Sequence, residues 1–145
     1  MGYCKISAVS ADHSSSCGFD DAGIPHYAGA AAGWVVRFAS GVSVYHAGDT
    51  NVFGDMRIID DLYRPTHICL PIGGHFTMGP EEAAYAIANF LMNAHTIIPM
   101  HFQTFPILAG DYPTFCSELQ GRGVTNKNII DSYANLLGQV LELNP

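Results

Sequence analysis

The chain has 145 residues, 48% of them apolar and 13% charged, with a formal net charge of −7; this length and composition support one folded domain with a substantial core and exclude intrinsic disorder. Six Lys plus Arg against thirteen Asp plus Glu cannot supply the cationic footprint that nucleic acid or anionic lipid demands, so neither is an expected partner. The charged fraction is about half the roughly 25% usual for globular chains, which points to surface that is covered in a homo-oligomer or by another partner.

The first predicted element is a strand over 5–10 (K-I-S-A-V-S), which alternates weakly and runs into the polar cluster Asp12-His13-Ser14-Ser15-Ser16. Residues 17–32 are rich in Gly and Ala without a period, and no element is expected there. Two β-rich runs, 34–38 and 42–46, flank Ala39-Ser40-Gly41 and predict a hairpin. Its second strand leads into Ala47-Gly48-Asp49-Thr50 and so places Asp49 at a strand's carboxyl end, where sites of α/β folds lie. Met56, Ile58, Ile59, Leu62 and Tyr63 keep helical spacing up to Pro65, and 67–72 (H-I-C-L-P-I) is an apolar strand emptying into Gly73-Gly74-His75. Gly79, Pro80, Glu81 and Glu82 give an N-cap, a proline at the first helical position and two acids in the first turn of a helix over 80–93. A strand over 96–100 delivers His101. Helices over 113–120 and 128–137 and a last strand over 139–143 complete the reading. Strand and helix alternate from residue 42 onward, which indicates a single α/β layered unit over 1–145.

Cys4, Cys17, Cys69 and Cys116 fall singly, with no C-x-x-C pair, and the start lacks the n-region and apolar h-region of a signal peptide. Free thiols and a cytoplasmic location are expected. The longest low-polarity stretch, 28–36, is far short of the ~20 residues of a membrane span.

Three strands end in loops bearing His13, Asp49 and His101, and a fourth ends at His75. Imidazole and carboxylate converging on one sheet edge form a ligand set for Zn²⁺ or another first-row metal. The rival reading for each is a polar strand end satisfied by backbone. His46, three residues before Asp49, reads as an orienting or packing neighbour. His26, His67 and His95 carry no motif and read as surface or strand-edge residues. Cys69, Met78 and Met100 read as packing residues. Glu81 and Glu82 read as charges on the helix dipole. Ser14, Ser15 and Ser16 lack the third member of a Ser-His arrangement.

The runs His46-Ala-Gly-Asp49-Thr50, Leu70-Pro-Ile-Gly-Gly-His75-Phe-Thr-Met-Gly-Pro-Glu-Glu-Ala83, and Ile98-Pro-Met-His101-Phe with Thr104-Phe-Pro resemble the uncharacterised metal-dependent hydrolases of the metallo-β-lactamase superfamily. The resemblance covers most of the chain and implies an αββα sandwich. It further implies that His13, Asp49 and His101 are metal ligands, with Asp49 bridging two ions. A divalent metal, Zn²⁺ or alternatively Mn²⁺ or Fe²⁺, would activate a hydroxide against an ester, lactone or phosphodiester-type bond of a small-molecule substrate. Asp49 and His75 are the implied catalytic residues, His75 orienting substrate or protonating the leaving group. The superfamily's first metal motif, His-x-His-x-Asp-His, is absent, so the chain is expected to be the C-terminal portion of an incomplete sandwich, pairing with the missing N-terminal part. Whether it is an enzyme stays open: a truncated or inactive relative serving as an interaction module is the alternative. A sandwich lacking one half should leave an apolar sheet face uncovered.

Overall fold

The computed structural model describes residues 3–132 and 140–145. A central sheet of six strands runs in the order β1 (Cys4–Ser10), β4 (Ala32–Phe38), β5 (Ser43–His46), β6 (His67–Pro71), β7 (Thr96–Met100) and β8 (Asn128–Ile129). β4 pairs antiparallel with β1 and with β5, whereas β5 through β8 are parallel neighbours. The parallel half is built from three crossovers through α1 (Met56–Tyr63), α2 (Pro80–Asn89) and α3 (Tyr112–Gly121). Those strands are laid down in sequence order, and crossovers of the usual right hand put helices on one face, as the shared core of α1, α2 and α3 reflects.

That face carries the core. Val35, Tyr45, Ile68, Leu70 and Ile97 are fully buried against Met56 and Ile59 of α1, Ala83, Ala84 and Ile87 of α2, and Phe115 and Leu119 of α3. Alternate residues of the same strands point the other way. There Ile6 is 61% exposed, Trp34 47% and Phe38 45%, whereas His67 on the same side is 2% exposed, so the exposed apolar patch lies at β1 and β4.

Local chemistry sets the helix ends. α1 stops at Arg64, whose left-handed backbone (φ 46°) donates its N–H to the Asp60 carbonyl just before Pro65. The Glu82 carboxylate accepts the Gly79 N–H at 3.0 Å and so closes the start of α2. Asp111 does the same for α3, accepting the Thr114 N–H at 2.7 Å, and this bond holds its carboxyl below the usual carboxylate range. α2 ends four residues before the expected 93. Beyond it, buried Asp60 accepts the backbone N–H groups of Met92 and Asn93 and the Asn93 side-chain amide. Burial nonetheless raises the Asp60 pKa, the hydrogen bonds only partly offsetting it.

Two regions differ from the sequence reading. Residues 17–32 contain a small hairpin, β2 (Ser16–Phe19) with β3 (Pro25–Tyr27), exposed along its whole length. The expected helix over 128–137 begins instead as β8, because Asn128 and Ile130 donate to the His95 and Ile97 carbonyls and extend the parallel sheet. The rest of that helix falls largely on residues 133–139, outside the described residues. The expected last strand fares similarly: residue 139 lies outside them, and 140–143 are not strand. Among the described residues, no helix is long and apolar enough to cross a membrane.

Candidate metal centre

The carboxyl ends of β5, β6 and β7 and the end of β1 deliver four loops to one edge of the sheet. Thr50, fully buried, joins three of them. Its hydroxyl accepts the Asp12 N–H at 2.9 Å, and its carbonyl accepts the Met78 N–H at 3.0 Å. Asn51 completes the stitch by donating its N–H to the Asp12 carbonyl at 2.9 Å. The loop bearing His13 and the loop following His75 are thereby both held to the turn that carries Asp49.

The fourth loop is locked by glycine. Gly73 packs its Cα against the His101 carbonyl so closely that any Cβ there would collide with it, and Gly110 approaches the Ile72 carbonyl in the same way. Gly110 also donates its N–H to the Gly73 carbonyl at 3.0 Å. Backbone strain gathers at this edge. His75, His101 and Gln103 hold φ of 61°, 54° and 55°, in the left-handed region that non-glycine residues rarely occupy.

Within this frame Asp49 and His101 face one another, with Asp49 Oδ2 3.7 Å from His101 Nε2. Two donors each about 2.1 Å from a tetrahedral cation stand about 3.4 Å apart, so the separation suits a shared cation. The other imidazole nitrogen, His101 Nδ1, is buried and has no hydrogen-bond partner among the described residues. His13 is half-buried on the neighbouring loop, its Nδ1 2.8 Å from the Ser14 carbonyl, which leaves Nε2 as the second ring donor. His75 is exposed and meets the Phe76 ring edge to face, centroids 4.3 Å apart.

Asp49 and His101 therefore fit a metal as two of its ligands. Among the described residues, no group of three or more His, Cys, Asp or Glu is assembled to hold a metal ion. A tight site takes three or four protein donors, so the donor set is partial.

His46 accepts the Gly48 N–H on Nδ1 at 3.2 Å and so orders the turn before Asp49. Cys69 lies beside it in register on the open face, and burial pushes its thiol up to about 11. His67, read as a surface or strand-edge residue, opens β6 and is 2% exposed, so the surface alternative does not hold. The sequence reading also overlooked Thr50 and Gly73 as organisers of the edge. Their signal was present only as small residues within the Gly-rich motifs.

A mixed sheet with helices on one face and a polar edge gathered at its parallel carboxyl ends defines an α/β layered domain. The chain matches the model of the beta-lactamase superfamily domain over residues 1–102, and it belongs to the metallo-β-lactamase superfamily, with that superfamily's fold. It is 48% identical over 110 residues to a UPF0173 metal-dependent hydrolase of Koribacter versatilis, covering 76% of this chain and 46% of that protein. It is 50% identical over 101 residues to one from Chloroflexus aurantiacus, covering 70% and 41%. Among solved structures, Igni18, a metallo hydrolase from Ignicoccus hospitalis, matches with a TM-score of 0.67 and 34% identity over 88% of this chain and 48% of that one. The chain thus spans less than half the length of these relatives.

Proposed function

We propose that this chain carries the Asp49 and His101 limb of a metal-dependent hydrolase centre, acting on a small-molecule ester, lactone or phosphodiester-type bond. The observation that carries this reading is the 3.7 Å approach of Asp49 Oδ2 to His101 Nε2 at a strained loop edge. Asp49 and His101 would hold a divalent cation, Zn²⁺ first and Mn²⁺ or Fe²⁺ as alternatives, with His13 as the third protein donor from the adjoining loop. When bound, the cation supplies Lewis acidity and makes water a nucleophile near neutral pH.

The chain's own residues do the remaining work. Thr50 and Gly73 fix the loops so that the carboxylate and imidazole meet without reorganisation. His75, exposed on the loop that Thr50 anchors, orients substrate or donates a proton to the leaving group. The remaining ligands come from the part of the superfamily domain that this chain does not span. That part packs on the open face around Ile6, Trp34 and Phe38, a placement supported by relatives more than twice as long as the matched segment.

The partial donor set among the described residues favours a second reading, an interaction module without hydrolytic activity. Assay of the chain against ester, lactone and phosphodiester substrates with added Zn²⁺, Mn²⁺ or Fe²⁺ separates the two. Metal-dependent turnover that disappears in Asp49→Ala supports the hydrolase. Absence of metal-dependent turnover together with Zn²⁺ binding that is unchanged in Asp49→Ala and in His101→Ala overturns it and supports the module.

A further inference from the structure

The opposite end of the parallel strands carries a second pair of imidazoles. His67 opens β6 and His95 immediately precedes β7; their rings meet edge to face, with centroids 4.9 Å apart and planes at 75°. The five residues of β6, at about 3.3 Å each, put roughly 13 Å between His67 and the loops of the Asp49 edge. His67 is buried while His95 is exposed, and both line a pocket of about 390 Å³.

Both rings are anchored through Nδ1. His67 Nδ1 lies 2.8 Å from Thr66 Oγ1, and His95 Nδ1 lies 3.1 Å from Thr96 Oγ1. The Thr66 hydroxyl also accepts the Ser43 N–H and donates to the Ser43 carbonyl, each at 3.0 Å. With its single proton directed to that carbonyl, it accepts the proton of His67 Nδ1, and the free lone pair of His67 rests on Nε2. A ring held by one nitrogen with a lone pair on the other is the arrangement of a metal-ligating histidine.

The rest of the wall suits a cation. Among the described residues, Glu142 is the one charged side chain lining the pocket, and Asn126, Asn128 and Asn144 add amide oxygens. The ammonium of Lys127 does not line it, being bound to the carbonyls of Met92 and Ala94. We propose that His67 and His95 bind a borderline-soft divalent cation of the Zn²⁺ class in this pocket, with Glu142 balancing its charge, at a site separate from the Asp49–His101 edge. Paired imidazoles select such ions over Mg²⁺ and Ca²⁺. Two protein donors leave the remaining coordination to water, so the site binds more weakly than a closed zinc site.

The test is a Zn²⁺ titration of the full chain carrying Asp49→Ala and His101→Ala, followed through the imidazole NMR signals. The His67 and His95 signals should shift saturably with Zn²⁺ and stay still with Mg²⁺. Adding His95→Gln, an exposed position whose folding is checked by circular dichroism, should weaken Zn²⁺ binding by about tenfold or more. Ring signals that ignore Zn²⁺, an equal response to Mg²⁺, or unchanged affinity in the His95→Gln variant would each overturn the proposal. Because the Asp49 edge is disabled throughout, the outcome is independent of the proposed hydrolase centre.

Discussion

The two faces of the sheet are built from alternate residues of the same strands, and both are apolar, yet they meet different fates. Val35, Tyr45, Ile68, Leu70 and Ile97 are fully buried, whereas Ile6, Trp34 and Phe38 stand about half exposed or more. Residue type does not make the difference. Crossovers of the usual hand send α1, α2 and α3 to the same side, so burial follows from connectivity. The exposed apolar residues at β1 and β4 contribute little to the stability of the chain.

The largest effect that could break this comparison is in the helix-covered core. Leu70→Ala should cost about 2–5 kcal/mol in chemical denaturation. A loss no greater than that of an open-face substitution would contradict the assignment of the core to one side. Gly73→Ala comes next. A methyl there meets the His101 carbonyl, so the loop must shift at a cost of about 1–3 kcal/mol, and the His101 ring signals should move with it. Unperturbed His101 signals would show that the close approach does not position the edge.

The third effect is a pH dependence. The His67 pKa is lowered on folding by burial and then by His95, so the folded state favours the neutral ring. Its contribution is fully present above the free imidazole range and is lost as pH falls through that range toward the native value. Between about pH 7.5 and 5 the wild type should therefore lose more stability than His67→Gln. Parallel profiles would mean the ring titrates alike in both states. The smallest effect belongs to the open face, where Trp34→Ser should change stability by no more than about 0.5 kcal/mol while reducing self-association measured by light scattering. A large stability loss there would mean that the face is already covered.

Much of this architecture is legible in the sequence where patterning and backbone chemistry agree. The β4–β5 hairpin has alternation around a glycine turn, and α2 has proline at its start and acids in its first turn. The β2–β3 hairpin is not legible because it is exposed on both sides, so burial imposes no alternation on it. β8 is misread as helix because parallel pairing with β7, not local pattern, makes it a strand. At the candidate site, strand ends place Asp49 and His101 on one edge from sequence alone. The contacts that hold the edge are backbone approaches at Thr50, Gly73 and Gly110, and these leave no side-chain periodicity to read. His67 is misjudged for a related reason: a polar residue opening a strand looks like a surface residue until its partners are placed.

The central claim, that Asp49 and His101 act together on a divalent cation, is tested most directly by following the His101 imidazole NMR signals during Zn²⁺ titration of the wild type and of Asp49→Ala. The account predicts a saturable shift of His101 in the wild type that is lost in Asp49→Ala. A His101 ring indifferent to Zn²⁺, or one responding equally without the carboxylate, would contradict it.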